Sequence, residues 1–197
     1  MIHLVKEQDG NLSFQNSLGK IMLQKKAYDD ALKCFQWILS KDETNLECIA
    51  NIGHCQFMLK RTKEAEEAYI KAIRIASFTG QALEDSYVLQ RLGSLYIQQG
   101  LYGEAKVIFE ECYLKYQNSF SHLNYGITLI YNEKSRDMNA ALKYLGRANI
   151  LNPYLVDIWG YLVYASLAVG LDIQAFQAQK EALKLKLSKL DLLKDIA

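Results

Sequence analysis

Ile52-Gly53-His54-Cys55-Gln56-Phe57-Met58-Leu59-Lys60-Arg61-Thr62-Lys63-Glu64-Ala65-Glu66-Glu67-Ala68-Tyr69 sets an alanine twelve residues after a glycine and an aromatic ring four residues further on. The same spacing recurs at Gly19, Ala31 and Phe35, and again at Gly93, Ala105 and Phe109. Gly19 and Gly53 lie thirty-four residues apart, the period of a repeat built from two antiparallel helices and a short turn. Apolar residues follow helical spacing after each turn, as in Ala31, Phe35 and Ile38. One proline in 197 residues leaves such helices uninterrupted. The spacing predicts that the small residue of each first helix packs on the small residue of the second. The ring is then expected to fill the gap between neighbouring hairpins.

This register gives about five repeats. The first covers Leu12 to Asn45 with its turn at Lys25-Lys26, and the second covers Leu46 to Thr79. Gly53 to Gly93 is forty residues, so six are inserted within Ser77 to Ser86. Gln81 to Asp85 holds no helix breaker, which predicts extra turns on the flanking helices. In the fourth repeat Gly126, Ala141, Leu145 and Ala148 hold the register up to Pro153, but reaching Ala141 takes three more residues than usual. The polar turn Asn132 to Asn139 is therefore expected to protrude. The fifth repeat carries Trp159, Leu162, a turn at Gly170, and Ala175, with Gln179 where a ring is due. A terminal repeat needs a wetter outer face. Ser188 is placed to cap a short closing helix, Lys189 to Ile196, whose Leu190, Leu193 and Ile196 would lie back on the stack. Residues 1–11 read as a lead-in from a longer protein, and residues 12–197 as a single array.

Composition narrows the function classes. Half of the residues are hydrophobic, too many for a disordered chain. Twenty-three basic against twenty-two acidic residues leave no field to hold nucleic acid or an anionic membrane. No apolar run reaches the length of a membrane span. Cys34, Cys48, Cys55 and Cys112 show no CxxC spacing and read as reduced thiols of a cytoplasmic-type compartment. His54 and Cys55 are adjacent, so on a helix they point about 100° apart and form no nucleophile–base pair. Cys48 and Cys55 share a helix face without further ligands, which excludes a metal site there. Neither a phosphate loop nor a catalytic constellation is present, so an enzyme, a cofactor and a metal are not expected.

Leu18/Gly19, Ala31, Phe35 and their equivalents, with Trp159, Gly170, Ala175 and the repeat-ending Pro153, resemble tetratricopeptide (TPR) repeats across almost the whole chain. The resemblance implies an all-α superhelix of about five helix–turn–helix repeats plus a C-terminal capping helix. It also implies a concave face, lined by the first helix of each repeat, that binds protein or peptide segments. Projected onto this sequence, that face offers Lys20, Asn51, His54, Tyr87 and Arg91 toward the amino end, and Phe120, Asn124, Tyr131, Tyr161 and Tyr164 toward the carboxy end.

Two narrower resemblances compete. Co-chaperone TPR domains clamp an acidic carboxy-terminal peptide, and here the clamp would use Asn16, Lys20, Asn51, Tyr87 and Arg91. Asn51 and Arg91 fit that pattern; Asn16 and Tyr87 replace lysines, and Lys20 replaces an asparagine. With three of the five positions changed, this is the weaker of the two, because specificity needs the whole polar set. Asn152-Pro153, Trp159-Gly160-Tyr161-Leu162 and the tail Leu190-Asp191-Leu192-Leu193-Lys194-Asp195-Ile196 are instead similar to the end of cilia- and flagella-associated axonemal proteins. That resemblance implies a cilium or flagellum, and outer dynein-arm components as partners.

Overall fold

The computed structural model describes residues 2–80 and 87–185, with side chains from residue 11 onward. These residues form only helices and the turns between them. The order is α1 (Ile2–Gln24), α2 (Tyr28–Leu39), α3 (Leu46–Met58), α4 (Thr62–Thr79), α5 (Tyr87–Gln98), α6 (Tyr102–Tyr116), α7 (Ser119–Tyr131), α8 (Met138–Leu151), α9 (Val156–Ala168) and α10 (Asp172–Lys184). The chain divides into two compact units, Met1–Leu95 and Tyr96–Ala197. In the first, α1 packs on α2, α2 on α3, and α3 on α4; in the second, α6 packs on α7, α7 on α8, α8 on α9, and α9 on α10. Helix α1 begins at Ile2 and so runs through the segment ahead of Leu12.

Two turn chemistries alternate along the chain. Within hairpins, one residue adopts the left-handed conformation: Lys26 (φ 59°), Lys60 (φ 64°), Gly100 (φ 74°) and Gly170 (φ 75°). In each case the next residue reaches back five positions, as when Arg61 N–H donates to the Gln56 carbonyl at 2.9 Å and Leu171 N–H to that of Ser166 at 2.9 Å. This is the Schellman closure, which needs no capping side chain on the helix that follows. At two junctions between hairpins asparagine does the capping: Asn45 accepts from Cys48 N–H at 3.0 Å and Asn118 from Ser121 N–H at 2.9 Å, whereas α9 opens at Leu155 with no side-chain cap. Lysine is strained in the left-handed region, where glycine is not. Replacing Lys60 by glycine is therefore expected to stabilise the chain by about 0.5–1 kcal/mol, measured as a raised urea midpoint.

The fourth hairpin has no such turn. Asn132 caps it instead, accepting from Lys134 N–H at 3.2 Å, while Asp137 N–H donates to the Leu129 carbonyl at 3.1 Å. Asp137 also caps α8 through Ala140 N–H at 2.9 Å. Residues 133–137 are exposed as expected, yet the turn is pinned at both ends.

The aromatic rings make a second contact beyond the expected one. A Cβ added to Gly19 would lie 2.8 Å from Phe35 Cε1, and one added to Gly53 would lie 2.7 Å from Tyr69 Cε1. The ring therefore sits on the bare glycine of its own hairpin, and it also faces the next one: Phe35 shares a buried cluster with Cys48 and Cys55 of α3, and Phe109 lies 6.3 Å from Phe120 of α7. Glycine makes room for a flat six-membered ring, which a second small residue could not fill. At Gly126 the partner is Leu145, with Cγ 3.0 Å from such a Cβ. Phe35, Tyr69, Phe109 and Leu145 are all fully buried.

In the second unit three tyrosines join α6, α7 and α8. The Tyr113, Tyr125 and Tyr144 ring centroids lie 4.7–5.1 Å apart, and Tyr144 Oη donates to Tyr113 Oη at 3.2 Å. In the final repeat, Trp159 Nε1 donates to the Pro153 carbonyl at 2.8 Å and fixes the entry to α9. Gln179 is exposed, whereas Ala175, Ala178 and Ala182 are buried. Helix α4 reaches Thr79 and ends at left-handed Gly80, so the inserted residues 77–79 lengthen that helix. Residues 81–86, the Ser188 cap and the closing helix Lys189 to Ile196 lie outside the described residues.

Candidate functional site

In the first unit, α1, α3 and α5 carry the polar and aromatic positions singled out by the repeat register. Lys20 Nζ lies 2.6 Å from Glu47 Oε1, and Asn16 Nδ2 donates to Glu47 Oε2 at 3.1 Å. Partial burial works to raise the Glu47 pKa, but the bonds from Lys20 and Asn16 outweigh it and hold the group below the usual carboxylate range. Asn51 stands half-buried on α3. One turn on, His54 meets Tyr28 edge-on at 6.1 Å and Tyr87 at 5.7 Å. The Arg91 guanidinium lies over two rings, 5.0 Å from Tyr87 and 5.8 Å from Phe57. Among the described residues Arg91 has no carboxylate partner.

This geometry bears on the chaperone-tail alternative. A clamp for a terminal carboxylate needs Asn16 and Lys20 open, and Glu47 already occupies both. Glu47 thus pairs with two of the side chains such a clamp would use.

Burial, and then the Arg91 cation, lower the His54 pKa below its ordinary 6.5. The unfolded chain thus binds a proton at His54 more readily than the folded one. Stability from this group is complete above about pH 6.5 and falls as the pH drops toward the folded pKa. The expected result is a lower thermal midpoint at pH 5.5 than at pH 7.5, with His54→Gln removing part of the difference. An unchanged slope in the variant would contradict the assignment.

In the second unit the site is aromatic. Tyr131, at the end of α7, is stacked between Tyr102 (centroids 5.3 Å, planes 24° apart) and Tyr164 of α9 (6.2 Å, 25°). Tyr161 meets Tyr131 edge-on at 6.5 Å. Burial first, then the charges of neighbouring groups including Asp157, push the Tyr161 phenol well above its usual pKa, so it stays protonated. All four rings are half-exposed. Phe120 is partly exposed with its ring 6.3 Å from Phe109. Asn124 is buried, its amide engaged by the Phe120 carbonyl at 2.9 Å.

The structure thus joins His54, Tyr87 and Arg91 in one group, and Tyr131, Tyr161 and Tyr164 in another. It ties Lys20 to Glu47 and turns Asn124 inward. Tyr28 and Tyr102 were missed by the first-helix projection because each opens a second helix. Their signal was a tyrosine three residues before the register alanine, in Tyr28-Asp29-Asp30-Ala31 and Tyr102-Gly103-Glu104-Ala105. Burial raises the thiol pKa of Cys48 to about 12 and those of Cys55 and Cys112 to about 11, which leaves them protonated and unreactive at neutral pH. No group of three or more metal-ligating side chains occurs among the described residues. None of the described helices is long and apolar enough to cross a membrane.

Residues 14–197 match the family model described as the cilia and flagella-associated protein 70 C-terminal domain. The chain belongs to this TPR family. The human cilia- and flagella-associated protein 70 is 30% identical over 179 residues, covering 91% of this chain and 15% of that protein. The Macaca fascicularis protein of the same name is 32% identical over 123 residues, 62% of this chain and 12% of the relative. The chain therefore spans only a small part of the curated relatives it matches. Among solved structures, YrrB, titled a TPR protein with an unusual peptide-binding site, aligns with a TM-score of 0.77 at 13% identity, covering 98% of this chain and 96% of its own. Pseudomonas aeruginosa pilF aligns with a TM-score of 0.77 at 19% identity, covering 95% and 82%. At these identities the structural likeness establishes the TPR fold.

Proposed function

We propose that the chain is the non-catalytic interaction module of an axonemal protein, holding segments of partner proteins on its first-helix faces. The partners are components of the outer dynein arms, and the setting is the cilium or flagellum. The observation that carries this reading is the pair of half-exposed aromatic groups, one in each unit, within a cilia- and flagella-associated family. Rigid tyrosines with one polar end provide binding surface at small entropic cost and are common anchors at interfaces. The ten first-helix residues divide accordingly: His54, Tyr87 and Arg91 contact the partner in the first unit, and Tyr131, Tyr161 and Tyr164 in the second. Phe120 and Asn51 flank these groups, and Lys20 and Asn124 position their neighbours.

The test is proximity labelling from the full-length protein in a ciliated cell, with the ligase placed beside this domain. Enrichment of outer dynein-arm proteins over a copy lacking residues 14–197 is the expected outcome. Enrichment of cytosolic chaperones alone would overturn the reading.

A further inference from the structure

The long turn of the fourth hairpin serves neither the repeat packing nor the two aromatic groups, and it presents a hydroxyl among cations. Its residues Glu133-Lys134-Ser135-Arg136-Asp137 are all exposed. Ser135 is nevertheless held in place, because its N–H donates to the Asn132 carbonyl at 3.1 Å. From α6, one helical turn beyond Tyr102, Lys106 Nζ reaches across and donates to Ser135 Oγ at 3.3 Å. Lys134 and Arg136 flank the serine in sequence. Among the described residues Lys106, Lys134 and Arg136 are in no ion pair. Of the acidic residues in the turn, Asp137 is engaged in capping α8 through Ala140 N–H. Ser40, Ser119 and Ser121 differ, since each of their hydroxyls donates to a backbone carbonyl at 2.6–3.0 Å.

We propose that Ser135 is a phosphorylation site for a protein kinase that selects serines between basic residues, and that Lys106 holds the resulting phosphate. In the transfer, Ser135 Oγ attacks the γ-phosphorus of a nucleoside triphosphate bound to the kinase. The bond from that phosphorus to the β–γ bridging oxygen breaks, the nucleoside diphosphate leaves, and the hydroxyl proton passes to the catalytic base of the kinase. A surface turn outside the helices lets a kinase reach the hydroxyl. Lys134 and Arg136 supply the positive charge that steers it to an acidic substrate cleft. Phosphorylation replaces a neutral acceptor with a group of nearly two negative charges and three acceptor oxygens, so the Lys106 contact becomes a charge-assisted bond. Glu133 opposes it, and the three cations outnumber that carboxylate. The phosphate thereby ties the turn to α6, and so joins more firmly the helices that carry Tyr102 and Tyr131.

The experiment treats the folded chain, its Ser135→Ala and Lys106→Gln variants, and a blocked peptide of residues 130–140 with ATP and the catalytic domain of a kinase selective for serines between basic residues. Fragment mass spectrometry is expected to find one phosphoryl group on Ser135 of the folded chain, and none at that position in Ser135→Ala. An unmodified Ser135 in the folded chain, under conditions that fully modify the peptide, overturns the site. Phosphorus NMR then follows the last protonation of each phosphoserine with pH. The peptide keeps Lys134 and Arg136, so any difference between chain and peptide reads the contact supplied by the fold. The phosphate of the folded chain should bind its last proton about threefold less tightly than that of the peptide. Lys106→Gln should erase that difference while still accepting the phosphoryl group. Equal proton affinity in chain and peptide, or a difference that survives Lys106→Gln, overturns the role of Lys106.

Discussion

A leucine at Gly53 is expected to lower the free energy of unfolding by about 3 kcal/mol, the upper end for an overpacked core. A Cβ alone would come within 2.7 Å of Tyr69 Cε1 and 2.8 Å of Cδ1, closer than carbon atoms approach without displacement. Tyr69 is fully buried, so its ring cannot swing into solvent. The neighbouring core of Cys48, Ile49 and Cys55 is closed as well, so the strain must move a helix. The contrast is Gly126, where an added Cβ meets Leu145 Cγ at 3.0 Å and Cδ2 at 3.1 Å. A leucine side chain can shift where a rigid ring cannot, so Gly126→Ala should cost less than Gly53→Ala. Urea unfolding with an unchanged slope reads both effects. Adding Tyr69→Ala to Gly53→Leu should recover part of the loss, giving a coupling that separates steric conflict from helix propensity. A Gly53→Leu chain as stable as the parent would refute the ring-on-glycine account.

The second large effect is functional. Tyr87→Ala combined with Tyr131→Ala is expected to abolish capture of the partner while leaving the helical circular dichroism unchanged. Removing Tyr87 takes away one ring beneath Arg91 and one wall of the His54 contact. Removing Tyr131 takes the middle ring from between Tyr102 and Tyr164. Anchoring aromatics contribute about 2 kcal/mol or more apiece, so each substitution should weaken binding about thirtyfold. Both rings are half-exposed, so neither loss empties a core. Normal capture by the double variant would move the site to the outer helices or to the Asn132–Asn139 turn.

The glycine–alanine–aromatic spacing was enough to predict the helices, the hairpins and most of the core, because each is set by residues close in sequence. The lengthened turn after α7 and the extra turn of α4 followed from counting residues. The seat of the aromatic ring on the glycine did not follow, since a period shows which positions recur and not which of them touch. The candidate site was visible only in outline. First-helix projection reached His54, Tyr87, Arg91, Tyr131, Tyr161 and Tyr164, but not Tyr28 or Tyr102, which arrive from second helices. Nor could it show that Glu47 bonds Lys20 and Asn16 or that Asn124 turns back on the Phe120 carbonyl. Such pairings depend on side-chain directions across helices, which spacing leaves open.

The central claim is that partners are held on the first-helix faces. A photo-cross-linking amino acid placed singly at Arg91, Tyr164, Lys71, Val107 and Ser135 tests it in axonemal extract. Lys71 and Val107 are exposed on second helices, and Ser135 is exposed in the long turn. The account predicts partner adducts from positions 91 and 164 and none from the other three. Adducts confined to positions 71, 107 or 135 would contradict it.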